Sequence, residues 1–232
     1  VVNSDNGNII PELLNSVATV YNWKGFDKPA SISILNIPDS LMKKYVGVYV
    51  YDGLIADVTI KPDGLYFWTS GLDAKMYFTS DKEFINMEFT AEKTFLTDGQ
   101  GNVTGYGRKA NGKEYPPATI ITRVDTLQAK GGQINNFGWH LLETKRFEEA
   151  IAYLSRGIEL EPNDIPAFGN LAHCYLFTND YDKAIQLYKA FLAKKPAEAA
   201  YFKSTIKQDF DFFRGKGFDK ALMDKATAAL QL

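Results

Sequence analysis

Two histidines, one cysteine and the Ser-x-x-Lys spacing at 204–207 are groups whose chemistry could contribute to a reactive centre. His140 and His173 both fall on the first helices of successive repeats, and two such ligands without a nearby carboxylate pair make a poor metal site, so no metal and no cofactor is expected. Cys174 follows His173 directly. Adjacent residues of a helix point in different directions, so this pair cannot share the hydrogen bond that activates a thiolate, and Cys174 is expected to be a buried packing residue. Ser204-Thr205-Ile206-Lys207 has the spacing of a lysine-activated serine, yet it lies inside a helical pattern and reads as a solvated helical face. The carboxylates Asp52, Asp57, Asp63 and Asp73 fall mostly in turns, where Asp serves the backbone, and no acid–base pair stands out. Tyr45, Tyr49, Tyr51, Tyr66, Phe67, Trp68, Tyr77 and Phe78 form an aromatic concentration. It could line a ligand cavity or fill a core, and filling is the expectation. No catalytic residue is therefore assigned.

The bulk numbers narrow the classes further. A formal charge of −2 and a pI near 5.8 supply no clustered cationic excess, so nucleic acid is not an expected partner. The apolar runs are short and broken by charge, which predicts no membrane span. Cys174 is the sole cysteine, so no intrachain disulfide can form. The chain opens on Val1 without a targeting pattern, and a trimmed or mature fragment of a longer protein is expected.

Three segments must position whatever the protein uses. Residues 1–31 open with a strand stub and a turn-rich stretch, then turn helical: Leu13, Leu14, Val17, Ala18 and Tyr21 recur at spacings of three and four. One amphipathic helix makes no core, so this piece must pack on something else. Residues 37–124 change period. Strand patterns near 45–51, 55–61, 65–69, 75–79, 84–90, 94–97, 103–108 and 119–123 are separated by Asp52-Gly53, Pro62-Asp63-Gly64, Ser70-Gly71, Ser80-Asp81, Asp98-Gly99 and Asn111-Gly112. About eight short strands joined by tight turns predict an antiparallel β barrel or strongly curled meander, which removes exposed edges. The fold class is therefore α+β: an N-terminal helix, this β domain, then an all-α array.

Residues 131–232 are that array. Phe147-Glu148-Glu149-Ala150 recurs as Tyr181-Asp182-Lys183-Ala184 and again as Phe218-Asp219-Lys220-Ala221. The first two copies are 34 residues apart, as are Pro162 and Pro196, which is the period of a tetratricopeptide repeat. Repeats are expected at 131–164, 165–198 and 199–232. Gly138, Ala172, Ala150 and Ala184 are the small residues that would let paired helices approach closely. Phe191 replaces a small residue and predicts an altered contact to the next pair; the third copy is three residues longer and ends as a capping helix. First helices of such arrays line a groove for an extended peptide or protein. Asn135, Asn136, Trp139 and Glu143, then Gly169, Asn170, His173 and Phe177, occupy the groove-facing positions. Asn136, Trp139, Asn170 and His173 are the expected partner-binding residues. The lysines of the carboxylate-clamping version are missing, which argues against an acidic C-terminus as ligand.

Leu41, then Tyr45-Val46-Gly47-Val48-Tyr49, then residues 58–65, then 95–105 (Phe-Leu-Thr-Asp-Gly-Gln-Gly-Asn-Val-Thr-Gly), resemble the lipocalin-like C-terminal domain that follows serine β-lactamase-related, penicillin-binding-protein-like hydrolases. Val1-Val2-Asn3-Ser4-Asp5-Asn6-Gly7 and its helix resemble the last strand and C-terminal helix of such a hydrolase domain. The resemblance touches most of the first 124 residues. It implies that the catalytic serine, the Tyr-x-Asn or Ser-x-Asn element and the Lys-Thr-Gly-like triad lie upstream, because this chain cannot assemble them. It further implies a bacterial, extracytoplasmic protein, periplasmic or secreted, with the upstream hydrolase domain as one partner. The expected function is then a non-catalytic interaction and assembly module, its repeats binding a protein or peptide. A small apolar ligand inside the barrel is the alternative, and an autonomous hydrolase a disfavoured third.

Overall fold

The computed structural model describes residues 9–24, 32–110, 112–194 and 196–232. The strand stub expected at Val1-Val2 and the residue Asn111 of one predicted turn lie outside these residues. The chain divides into two compact units, one holding the β domain and the other the helical array.

In the first unit, helix α1 (Ile9–Val20) forms where the period of three and four predicts it. Ala18 is buried, whereas Ile10, Leu13, Leu14, Val20 and Tyr21 stay exposed. A second helix, α2 (Asp39–Tyr45), precedes the sheet where a strand was expected to begin. Asp39 in its first turn and Lys43 and Lys44 in its last complement the helix dipole.

Nine antiparallel strands follow: β1 (Gly47–Tyr51), β2 (Leu54–Lys61), β3 (Gly64–Thr69), β4 (Leu72–Lys75), β5 (Tyr77–Phe78), β6 (Glu83–Asn86), β7 (Phe89–Thr97), β8 (Val103–Ala110) and β9 (Lys113–Ile121). Their order, β4-β3-β2-β1-β9-β8-β7-β6-β5, puts β4 and β5 at opposite edges although Met76 alone separates them in the chain. The expected strand at 75–79 is thus one strand bent at Met76, handing its pairing from β3 to β6, and the sheet comes back on itself as a nearly closed barrel. Asp52-Gly53 and Ser70-Gly71 both take positive φ at two successive residues, the twist that two-residue hairpins demand.

Two boundaries differ from the pattern in the sequence. The turn between β6 and β7 falls at Met87-Glu88, which carry no turn signal, so β7 runs nine residues instead of starting at 94. Strand β9 begins at Lys113 and runs through Pro116 and Pro117. Proline cannot donate to a ladder; here the pairing jumps from Tyr106↔Ala118 to Arg108↔Tyr115, a bulge that absorbs both prolines.

Alternation along these strands sends Tyr49, Ala56, Val58, Leu65, Phe67, Phe84, Phe95, Tyr106 and Ala118 into one core. Tyr49, Phe84 and Phe95 are no more than 1% exposed, so rings occupy the centre of the barrel. Helix α2 closes one end: Tyr45 stacks on Phe95 at 3.8 Å between ring centroids, and its hydroxyl donates to the Asp81 carbonyl.

In the second unit, three helix pairs appear where repeats were expected: α3 (Gly131–Glu143) with α4 (Phe147–Leu160), α5 (Ile165–Phe177) with α6 (Tyr181–Lys194), and α7 (Ala199–Gly215) with α8 (Lys220–Leu230). The close approach predicted for small residues is present. A Cβ added at Gly138 would meet Leu154 Cδ2 at 2.3 Å, and one at Gly157 would meet Ile134 Cγ2 at 2.9 Å. Ala150, Ala172 and Ala184 are fully buried. The third copy departs from this plan, since α7 runs 17 residues and Ala221 is exposed. Asp219 caps α8 by accepting from the Ala221 and Leu222 amides.

Candidate functional site

Helices α3 and α5 carry the residues that the repeat pattern assigns to a binding face. Asn136 is exposed on α3. Its neighbour Asn135 accepts, through Oδ1, a 2.8 Å hydrogen bond from Nδ2 of Asn170, which is 8% exposed. The two first helices are therefore tied side by side through amides, and Asn170 spends one donor inside the protein. An asparagine side chain has two donors and two acceptor lone pairs, so the pair keeps capacity for a further backbone-like group.

Trp139 and His173 are placed differently from an open groove. Trp139 is half-buried, its ring 5.5 Å from Phe212 and 5.2 Å from Phe213 of α7. His173 is 1% exposed. Its Nδ1 lies 2.6 Å from the Tyr188 hydroxyl and its Nε2 3.1 Å from Asp209 Oδ2. An ionised carboxylate only accepts, so Nε2 donates to Asp209 and Nδ1 accepts from Tyr188, one tautomer serving both contacts. Burial drives the Tyr188 hydroxyl well above its ordinary value and keeps it a donor. Phe210 and Phe213 pack edge-on against the imidazole at 5.6 and 5.1 Å.

The partners of Trp139 and His173 come from α6 and α7. The sequence carries a signal for this: Phe202, Ile206, Phe210 and Phe213 recur at spacings of four, four and three, and all are buried. Within that stripe Ile206 stands, one period on, where α3 and α5 have Gly138 and Ala172. Helix α7 consequently docks through rings, including the 4.7 Å contact between Phe191 of α6 and Phe202. Phe191 thus makes the altered contact to the third pair that its size predicts.

The remaining chemistry-bearing residues are dispersed. His140 sits 3.9 Å from Glu143 on its own helix. Cys174 is fully buried, and burial pushes its thiol up to about 12, far from thiolate chemistry at neutral pH. Ser204 and Lys207 are exposed on α7. No helix among the described residues is long and apolar enough to cross a membrane.

The geometry defines a class, paired-helix repeats with a polar first-helix face, and comparison agrees for part of the chain. Residues 141–205 match the tetratricopeptide repeat family model. The match spans from the last turn of α3, through the complete α5–α6 pair, into α7. No curated protein matches the chain.

Proposed function

We propose that the helical unit is a protein-interaction module that takes an extended peptide or protein segment on the α3–α5 face, Asn136 and Asn170 meeting its backbone. The observation that carries this reading is the tetratricopeptide match at 141–205, together with an exposed Asn136 beside the Asn135–Asn170 bridge. Trp139 and His173 contribute by fixing the shape of that face through α7.

The chain as a whole is, on this proposal, the non-catalytic C-terminal accessory region of a β-lactamase-related serine hydrolase, shaping substrate access or oligomer contacts outside the cytoplasm of a bacterium. The lipocalin-like sequence pattern supports this parentage. The exposed Ile10, Leu13 and Leu14 of α1 are the surface that the hydrolase domain would cover.

Selection of peptides from a displayed random library against the full chain tests the interaction reading. Peptides enriched by the native chain should lose binding at least tenfold to Asn136→Arg, whose melting temperature stays unchanged because the site is exposed. Failure to enrich any peptide, or indifference to Asn136→Arg, contradicts it.

A further inference from the structure

The inner wall of the barrel is apolar apart from one end. Strands β7 and β8 pair in register as Phe95↔Tyr106 and, two residues along, Lys93↔Arg108. Directly opposed residues share a face and alternate ones return to it, so Lys93 and Arg108 face inward just as Phe95 and Tyr106 do. Tyr51 lies on the same inner surface, packed against the core, at the end of β1 away from α2.

Two cations opposed on one antiparallel pair repel each other, and here the repulsion acts where burial has removed much of the solvent. Lys93 is 5% exposed, with Nζ donating to Asn86 Oδ1 at 3.0 Å and lying over the rings of Phe67 and Phe84 at 5.3 and 5.7 Å. The Arg108 guanidinium lies 3.5 Å from the Tyr51 ring centroid and 5.6 Å from that of Tyr115. Its Nε is buried and finds no hydrogen-bond partner among the described residues. Exposed Glu88, in the β6–β7 turn, offsets part of the charge on Lys93. Bulges interrupt the ladder between Phe84 and Asn86 and between Tyr106 and Arg108, beside the two groups that hold or form the cationic pair. Bulges of this kind re-aim side chains and gather near binding sites.

We propose that this end of the barrel is an oxyanion-binding site, in which a small carboxylate or phosphate accepts from Lys93 Nζ and the Arg108 guanidinium between Tyr51 and Tyr115. The anion supplies the missing acceptor for Arg108 Nε and cancels the repulsion between the cations. Because rings fill the barrel beyond this layer, the ligand is compact and polar, with no room for a long apolar tail. Burial and Arg108 together depress the Lys93 ammonium to about 8, and a bound anion would raise it again.

The test uses the full chain labelled with nitrogen-15. Inorganic phosphate and benzoate are titrated separately at constant ionic strength, following the Arg108 Nε–H resonance and the melting temperature. Saturable movement of that resonance with Kd below about 1 mM is expected, weakened tenfold or more by Arg108→Gln and by Lys93→Met, each removing a charged hydrogen bond. Lys93→Met takes a buried charge away from a facing cation and keeps the fold, so it decides the matter should Arg108→Gln misfold. A response to phosphate alone, to benzoate alone or to both supports the site and identifies its source. Absence of saturation with either anion, or an equal response in both variants, overturns it.

Discussion

Gly138 shows how much of the repeat rests on one missing methyl. With Leu154 Cδ2 at 2.3 Å from where a Cβ would stand, Gly138→Val must push α3 from α4 or force Leu154 from its rotamer. Overpacking of this kind costs about 1–3 kcal/mol, so urea denaturation should show a lowered midpoint. At His173 the loss is of partners. His173→Ala leaves the Tyr188 hydroxyl buried and unpaired, a penalty of about 1–3 kcal/mol, and the same change in a Tyr188→Phe background should cost measurably less. Lys93 acts in the opposite sense. Its ammonium is held down to about 8, against 10.5 for the exposed group. The unfolded chain therefore binds the extra proton, so the destabilisation is full below pH 8 and fades as pH rises towards 10.5. Lys93→Met should stabilise the protein at pH 7 by about 1–3 kcal/mol, an advantage that shrinks by pH 10. Matched denaturation curves at pH 7 and 10 measure it. The small residues of α3 to α6 were legible in sequence because their period is local. The pairing of His173 with Asp209 was not, since it depends on where α7 docks.

At the scale of elements, α7 sets the helical unit apart from a run of uniform repeats. Its Ile206 takes the place of the small Gly138 and Ala172, and the buried Phe202, Phe210 and Phe213 beside it carry the contact through rings. Phe213 touches Trp139, His173, Phe177 and Phe218. Phe213→Ala should lower stability by about 3–5 kcal/mol, and in a background with Trp23 and Trp68 replaced by Phe the emission of Trp139 should shift to the red as water reaches its ring. An unshifted spectrum would mean that α7 does not cover Trp139. In the barrel, hairpin turns at Asp52-Gly53 and Ser70-Gly71 announced themselves through residues that tolerate positive φ. Three features did not: α2 looked like the beginning of a strand, Met87-Glu88 turns without turn residues, and the Pro116-Pro117 pair concealed a strand that a bulge makes possible. In each case tertiary packing overrode local preference.

For the whole molecule, the two units have separate cores, one of inward-facing rings and one of interlocked helices. Residues 121–232 expressed alone should therefore unfold cooperatively with a helical circular dichroism spectrum. A broad, non-cooperative melt would show that the helices lack a sufficient core. The order of helix, curled sheet and helical array was readable from the change of hydrophobic period along the chain. The identity of what binds the array was not, because a partner-facing surface leaves no periodic trace.

Hydrogen–deuterium exchange of the full chain, with and without its tightest selected peptide, tests the interaction reading most directly. Protection should concentrate on α3 and α5, strongest around Asn136 and Asn170. Protection confined to the barrel or to α4 and α6, with α3 and α5 unchanged, would contradict it.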